Sequence, residues 1–558
     1  MREAIHAAVK KALIELGAPE AAFIVERPGD FAHGDYATNA ALAAAKVLKD
    51  NPRAVAGRIA AFLEKNLEGL EKVEIAGAGF VNFFVSRETL ATQMFQAAQD
   101  ELWGTNAQLE GKRIMVEYTS PNLFKPLHIG NLIGNILGES IARLLEKSGA
   151  TVRRLNYPSD IGLTVAKGVW GLVKGKFDPA NIAELGAAYM LGNAAYETGS
   201  LAERKEIEEV NRSLYDGSND NYSALRAAGI ETSREHLDAL CEKLGTKFDQ
   251  EFFESESGPR GRQLVKEHVG DVFEESEGAV VYRGEDEGLH TRVFLNSQGL
   301  PTYEAKELGL FSLKHEAFPK FDVSITVTGS EQRDFFKVVF AVVRKIFKKE
   351  TEGKELIHVA NGFLRLTTGK MSSRLGNVIT GESLLDDLMQ ESRAKMQERK
   401  VAHVTRVAEQ VAVGALKYAV LKQGSGRDII FDPEQSLSLE GDSGPYVQYA
   451  RVRAASLIKE AQKARVNPDA TDAPREPVVL ERLIAHYPEV LARAARELEP
   501  HYLTTYVTEL AAAFNSWYGT TRVIGGPYPC YGLLLAQAAE ATLRHGLWAL
   551  GIPAPEEM

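Results

Sequence analysis

Residues 113–157 read RIMVEYTSPNLFKPLHIGNLIGNILGESIARLLEKSGATVRRLNY, and this stretch decides the fold. RIMVEY, Arg113 to Tyr118, is a short apolar run with the composition of a strand. A loop carrying two prolines and an asparagine follows. A helical pattern then runs from about Ile129 to Ser148, and TVRRLNY, Thr151 to Tyr157, is the next strand-like run. Strand, helix and strand at this spacing form a βαβ unit, whose crossover makes the two strands parallel. In an open parallel sheet, ligands settle at the carboxyl ends of the strands near the first crossover. The loop at Tyr118–His128 is therefore the first place to look for chemistry.

Outward from this unit the rhythm changes twice. Before it, residues 1–109 read as a small α+β domain. Ile5, Val9, Leu13 and Leu16 recur at helical spacing with Gly17 placed to stop them. Asn51-Pro52 is a cap and first-turn pair, and GFVNFFV, Gly79 to Val85, reads as a strand. After it, residues 168–262 are polar and helical, an insertion inside the α/β domain. Strand-like runs return at VVYR, RVFLN, SITVTG and LIHVANGF, so the sheet domain is expected to span 110–395. Residues 396–558 alternate apolar stripes with Arg, Lys and Glu and read as an all-α bundle.

Composition bounds what the chain can be. Its 558 residues predict about three to four domains, and 44% apolar with 25% charged residues suit buried cores. No run approaches the ~20 apolar residues of a membrane-spanning helix, and the amphipathic start lacks the apolar core of a secretory signal. Two distant cysteines, Cys241 and Cys530, exclude a Cys-rich zinc site and a disulfide framework, which suits a reducing, cytoplasmic setting. A formal charge of −11 does not advertise nucleic acid, yet local basic patches can still bind it.

Two motifs carry the chemistry. The first, VEYTSPNLFKPLHIGN, leaves a strand and enters a helix at His128. A helix start there offers free N–H groups and a positive dipole end to phosphate. Gly130 lets a nucleotide lie against the backbone, and His128 can donate to phosphate oxygens. The second, LTTGKMSSRLGNV, Leu366 to Val378, is a Gly-flanked loop carrying Lys370 and two serines, suited to closing over a triphosphate and stabilising departing pyrophosphate. Each alone is weak. Together, in this order and about 240 residues apart, they are strong.

The pair resembles the signatures of class I aminoacyl-tRNA synthetases. SPNLFKPLHIGN, the run NYPSDIG, PTYEAKELGL, GSEQRDFF, KMSSRLGN, LSLEGDSGPYVQYARVRA and the terminal LGIPAPEEM together resemble the arginyl-tRNA synthetases. HGDYATNAALAAAK resembles that family's N-terminal module. The resemblance covers nearly the whole chain and is weakest over 168–262. It implies a Rossmann-like catalytic domain, a tRNA-contacting domain at 1–109 and an anticodon-binding domain at 396–558. It also implies arginine–tRNA ligase activity on L-arginine, ATP with Mg2+ and the arginine tRNA. No metal site of the protein's own is implied, and a monomer is expected.

Residue roles are implied by the same resemblance. His128, Asn131 and Lys370 would act on the phosphates, with Lys125 supplying further charge. Pro121, Gly130, Ser372 and Ser373 would bind ATP. Glu117, Asn122, Tyr303, Glu307 and Gln332 would bind arginine, with Glu307 facing the guanidinium. Tyr303 and Glu307 are four apart, so a helix puts them on one face. Tyr449, Tyr518 and Met558 would approach the anticodon, whereas Tyr446 and Trp517 are expected to include core residues. Three positions depart from the family pattern, where His is usual at 131, Asp is common at 307 and a second Lys occupies 373. Two other readings share the motifs: a class I synthetase for another amino acid, and a tRNA-binding paralogue that has lost catalysis.

Overall fold

The computed structural model describes residues 1–367, 380–397 and 403–558. They form two compact units. One comprises Met1–Gly104, Tyr449–Leu491 and Tyr506–Gly546, and the other Thr105–Gln448, Ala492–Thr505 and Leu547–Met558.

In the first unit a four-stranded antiparallel sheet orders Val25–Glu26, Tyr36–Thr38, Phe80–Val85 and Leu70–Ala76. Two helices, Arg2–Glu15 and Pro52–Asn66, pack beside it and bury Ile5, Val9 and Leu13 with Val55, Ile59 and Leu63. Both helix boundaries follow the expected signals. Gly17 turns left-handed after the first helix, and the Asn51 side chain accepts from the Arg53 N–H ahead of Pro52. C-terminal helices complete this unit, held by ion pairs such as Arg482 to Asp35 at 2.6 Å.

The second unit is built on a five-stranded sheet. Its strands are β1 (Arg113–Glu117), β2 (Thr151–Asn156), β3 (Gln250–Glu251), β4 (Val323–Gly329) and β5 (Glu355–Asn361). All pairs are parallel, in the order β5-β4-β1-β2-β3, so the βαβ reading holds. Helix α1 (Ile129–Lys147) is the first crossover, with Leu132, Ile133, Ile136 and Ile141 buried. Gly138 is required there, because a Cβ would lie 2.3 Å from the Tyr118 ring. After β2 the chain enters α2 (Leu163–Gly175) and three further helices, then returns at β3. That short strand lies inside the stretch read as mostly helical without strand rhythm; two residues are too few to register as a pattern. Helices α3 (Tyr303–Ala317), α4 (Arg333–Ile346) and α5 (Gly381–Gln397) follow.

Two expectations need correcting. Residues 396–558 are not all helical, because Ile429–Phe431 is a strand that pairs parallel with Leu364–Leu366, too short and too distant a pairing to show as a local pattern. VVYR and RVFLN do not enter the parallel sheet, but form an antiparallel meander of Glu274–Ser276, Ala279–Tyr282 and Arg292–Leu295. The first two are joined by Glu277 and Gly278, both at positive φ. A two-residue turn of that kind links only antiparallel strands. Among the described residues no helix is long and apolar enough to cross a membrane.

Candidate active site

The chain leaves β1 through a strained loop. Thr119, Ser120 and Phe124 all have positive φ, at 77°, 41° and 69°. Each such non-glycine residue costs of the order of 1 kcal/mol and persists only where its surroundings over-determine it. They do so here. Asn131 donates its amide to the Thr119 carbonyl at 2.7 Å and, less closely, to that of Ser120 at 3.3 Å. Asn135 donates to the Thr119 hydroxyl at 3.0 Å, the Ser120 N–H to Asn156 at 3.2 Å, and the Phe124 N–H to Ser233 at 3.1 Å. Tyr118, fully buried, donates to Glu139, whose carboxylate also takes Arg143 and Arg154. Asn131, expected at the phosphates, therefore spends its amide donors on holding this loop.

His128 stands at the mouth of the loop as the N-cap of α1, its Nδ1 accepting from the Gly130 N–H at 3.1 Å. That contact leaves the proton on Nε2, so a neutral imidazole presents one outward donor. Partial burial first, and then the Lys125 charge, lower its pKa, with Glu331 opposing them. Lys125 itself is lowered by burial and by Lys167, and it makes no hydrogen bond or ion pair among the described residues. Gly130 is the second residue of α1, and a Cβ there would stand 3.2 Å from His128 Nδ1. Pro121 is buried; its carbonyl accepts from Ser159, and Asn122 bridges to Ser159 beside it.

The residues just beyond the second motif meet the end of the first. Thr380 pairs antiparallel with His128, and the Gly381 N–H donates to the Leu127 carbonyl at 2.9 Å. The segment between β5 and α5 therefore ends against His128. Lys370, Ser372 and Ser373 lie within it and outside the described residues.

Helix α3 carries the acid side of the site. Four glutamates gather where it passes the end of β1. Glu117, 3% exposed, pairs with Lys314 at 2.7 Å, Glu254 with Lys306, and Glu304 with Arg292 at 3.5 Å. Glu307 alone makes no ion pair or hydrogen bond among the described residues. Burial, and then the Glu117 charge, push its carboxyl well above the ordinary glutamate value. Lys314 pulls it back, while Glu254 and Glu304 add to the rise. A cluster holding one more acid than base favours an added cation, which would relieve the repulsion. Tyr303 opens the same helix and is 65% exposed at the rim of a neighbouring cavity. Gln332 ends the short turn Ser330–Gln332 after β4 and caps α4.

Two elements of this arrangement went unread. Lys314 lies two turns beyond Glu307, so helical spacing alone puts it on the same face. Its pairing with Glu117 means that one acid of the cluster is already half satisfied. The pairing of Lys306 with Glu254 had no local signal, because the two residues are far apart in sequence.

The expected RNA contacts divide between the units. In the first, the Arg453 guanidinium sits 4.6 Å from the Tyr518 ring and 5.6 Å from that of Tyr449, and it donates to Asn515 at 2.8 Å. Trp517 is buried near Phe514, as a core residue would be. In the second, Met558 lines an apolar pocket with Met396, Val411 and Leu437.

The chain was compared with known proteins. Residues 94–433 match the model of the class I tRNA synthetases (R), catalytic domain. Residues 1–85 match the arginyl tRNA synthetase N-terminal domain, and 447–558 the DALR anticodon binding domain. A protein named arginine–tRNA ligase from Treponema pallidum is 29% identical over 99% of this chain and 98% of its own length. Another so named, from Treponema denticola, is 30% identical over 92% of this chain and 91% of its own. The solved arginyl-tRNA synthetase of Thermus thermophilus superposes with a TM-score of 0.81 at 26% identity, covering both chains fully. That of Plasmodium falciparum, at 19% identity and a TM-score of 0.79, covers 100% of this chain and 98% of its own and shares the fold.

Proposed function

Since the chain belongs to the arginyl class of the class I tRNA synthetases, we propose that its polar cleft at the end of β1 joins L-arginine to the arginine tRNA at the expense of ATP. The observation that carries this reading is Glu307, a largely buried acid with no cationic partner among the described residues, beside three that are paired. Arginine brings a planar, permanently charged fork of five N–H donors, which suits a lone carboxylate in a polar pocket. Tyr303, Asn122 and Gln332 complete the pocket. Glu117 keeps one carboxylate oxygen free of Lys314 for the substrate ammonium.

In the first step an oxygen of the arginine carboxylate attacks the α-phosphorus of ATP. Arginyl-adenylate forms and pyrophosphate departs, with no covalent enzyme intermediate. Catalysis is positioning and charge stabilisation. The Nε2–H of His128, Lys125 and the first-turn N–H groups of α1 face the phosphates. Asn131 acts one layer back, holding Thr119 and Ser120 in the conformation that aims this loop. Lys370 meets the leaving pyrophosphate, while Pro121, Gly130, Ser372 and Ser373 border the nucleotide. Mg2+ enters with ATP as its counterion. In the second step the 2′-hydroxyl of the terminal adenosine attacks the adenylate carbonyl carbon and AMP leaves.

Residues 1–109 are assigned to the body of the tRNA and 396–558 to its anticodon, with Tyr449, Tyr518 and Met558 at the bases. The enzyme is proposed to work as a cytoplasmic monomer. Arginine-dependent exchange of labelled pyrophosphate into ATP, run against a panel of amino acids with and without tRNA, tests the reading. Exchange with arginine alone supports it. Exchange with another amino acid, or with none, overturns it.

A further inference from the structure

The polar insertion carries a helix, Asp220–Lys243, that touches the first motif and also the residues just beyond the second. Its Arg226, Gly229, Ser233 and His236 recur at spacings of three and four, hence on one side. The first three follow the loop after β1. Arg226 pairs with Asp160 of the NYPSDIG run, which lies beside that loop. A Cβ at Gly229 would stand 2.5 Å from the Phe124 ring, and the Ser233 hydroxyl accepts from the Phe124 N–H at 3.1 Å. One turn further on the partner changes. His236 Nε2 lies 2.9 Å from a carboxylate oxygen of Glu382, in the first turn of α5. That oxygen lies off the N–H axis, so the contact is one of charge rather than an aligned hydrogen bond.

Glu382 is tied to the site on its other side. The Gly381 N–H donates to the Leu127 carbonyl at 2.9 Å, and Thr380 pairs antiparallel with His128. Gly381 has little room, since a Cβ there would stand 3.1 Å from that of Leu132 on α1. Residues 380–382 therefore lie between His128 and His236, and a shift of Glu382 moves the backbone that His128 pairs with. Contact with Glu382 raises the His236 pKa above its ordinary 6.5. Partial burial and Lys243 of the same helix oppose that rise, while Asp386 of α5 adds to it. The imidazole is charged below the raised value and loses its charge as pH climbs through it. We propose that His236 is a positioning residue for ATP: protonated, it holds Glu382 so that Thr380 and Gly381 set Leu127 and His128 for the phosphates, and its deprotonation relaxes that hold. The proposal rests on the assignment of His128 to the phosphates.

ATP with Mg2+ is titrated by calorimetry into the full chain at pH ~6 and pH ~9, on either side of the raised value. Both side chains of the pair are partly exposed, so the effect sought is about fivefold in Kd. H236Q, uncharged throughout, should bind ATP about fivefold more weakly than the wild type at the lower pH and equally well at the higher. H236K, charged throughout, should match the wild type at the lower pH and bind about fivefold more tightly than it at the higher. E382Q should lose more affinity at the lower pH than at the higher, and it decides the matter where H236K gains nothing. Its loss of a first-turn acid acts alike at both pH values, so only the pH-dependent part counts. In turnover, KM for arginine should stay within about twofold in every variant, as expected of a residue that acts on the nucleotide side. The ATP titration contains no amino acid, so its outcome is separate from whether arginine is the substrate. Losses that are the same at both pH values make the pair a structural contact and overturn the inference. Equal affinities in all four proteins, or no uptake of ATP by the wild type, overturn it as well.

Discussion

Glu307→Gln separates what the carboxylate does for the substrate from what it does to the fold. In the absence of arginine the acid is crowded by Glu117, Glu254 and Glu304, and its pKa is raised well above the ordinary 4.5. A raised carboxyl pKa adds stability that is complete below the unfolded value and is lost as pH rises towards the folded value. At neutral pH the substituted protein should therefore melt higher than the wild type. Activity should move the other way. A charge-assisted hydrogen bond contributes roughly 1.5–3 kcal/mol, and breaking one side of a buried ion pair costs about 3–5 kcal/mol. Taking ~3 kcal/mol, kcat/KM for arginine should fall by about a hundredfold or more, with KM for ATP nearly unchanged. E307D, which retains the charge, should keep far more activity. Binding arginine also requires the ionised acid. The wild-type KM for arginine should therefore climb as pH falls towards the raised pKa, and binding should release a proton, visible by calorimetry in buffers of different ionisation enthalpy. That pH dependence should vanish in E307Q. A variant with kcat/KM within threefold of the wild type, or with the pH dependence intact, would refute the assignment.

Other substitutions probe the supports. K314M leaves Glu117 buried without its cation, so urea unfolding should show a loss of about 3–5 kcal/mol, and the pH at which arginine binding fails should shift upward, because Lys314 lowers the Glu307 pKa. H128A should slow adenylate formation by about a hundredfold in single-turnover experiments while arginine affinity stays within twofold. K125A should depress the same step far more than arginine binding, and unchanged turnover would make Lys125 a packing residue. G138A drives a Cβ into the Tyr118 ring, and the overpacking should lower stability by roughly 1–3 kcal/mol by thermal melting.

How much of this was legible beforehand depends on how far each signal reaches along the chain. The parallel sheet was readable because strand, helix and strand in 113–157 are local patterns, and so were the Asn51-Pro52 start and the Gly17 stop. The meander was misassigned because VVYR and RVFLN carry strand composition but nothing that states their partner; the Glu277-Gly278 turn decides it. The edge strand at 250–251 was missed because its pairing comes from β2, nearly a hundred residues earlier. Within the site, Tyr303 and Glu307 on one helix face followed from spacing. That Asn131 would be drawn into bracing Thr119 did not, since the strained loop exists only once Asn135, Asn156 and Ser233 are folded round it.

The amino-acid order on its own determined the α/β class and singled out the two motifs and Glu307 as candidates for the site, because periodicity, turn residues and motif spacing are written within a few turns of chain. Tertiary structure alone decided which acid is left over. Glu117, Glu254 and Glu304 find Lys314, Lys306 and Arg292, while Glu307 finds none among the described residues. Ionisable groups interact through space and through the low polarity of a buried cleft, so their pairing depends on distances that appear only after the sheet and its helices have closed.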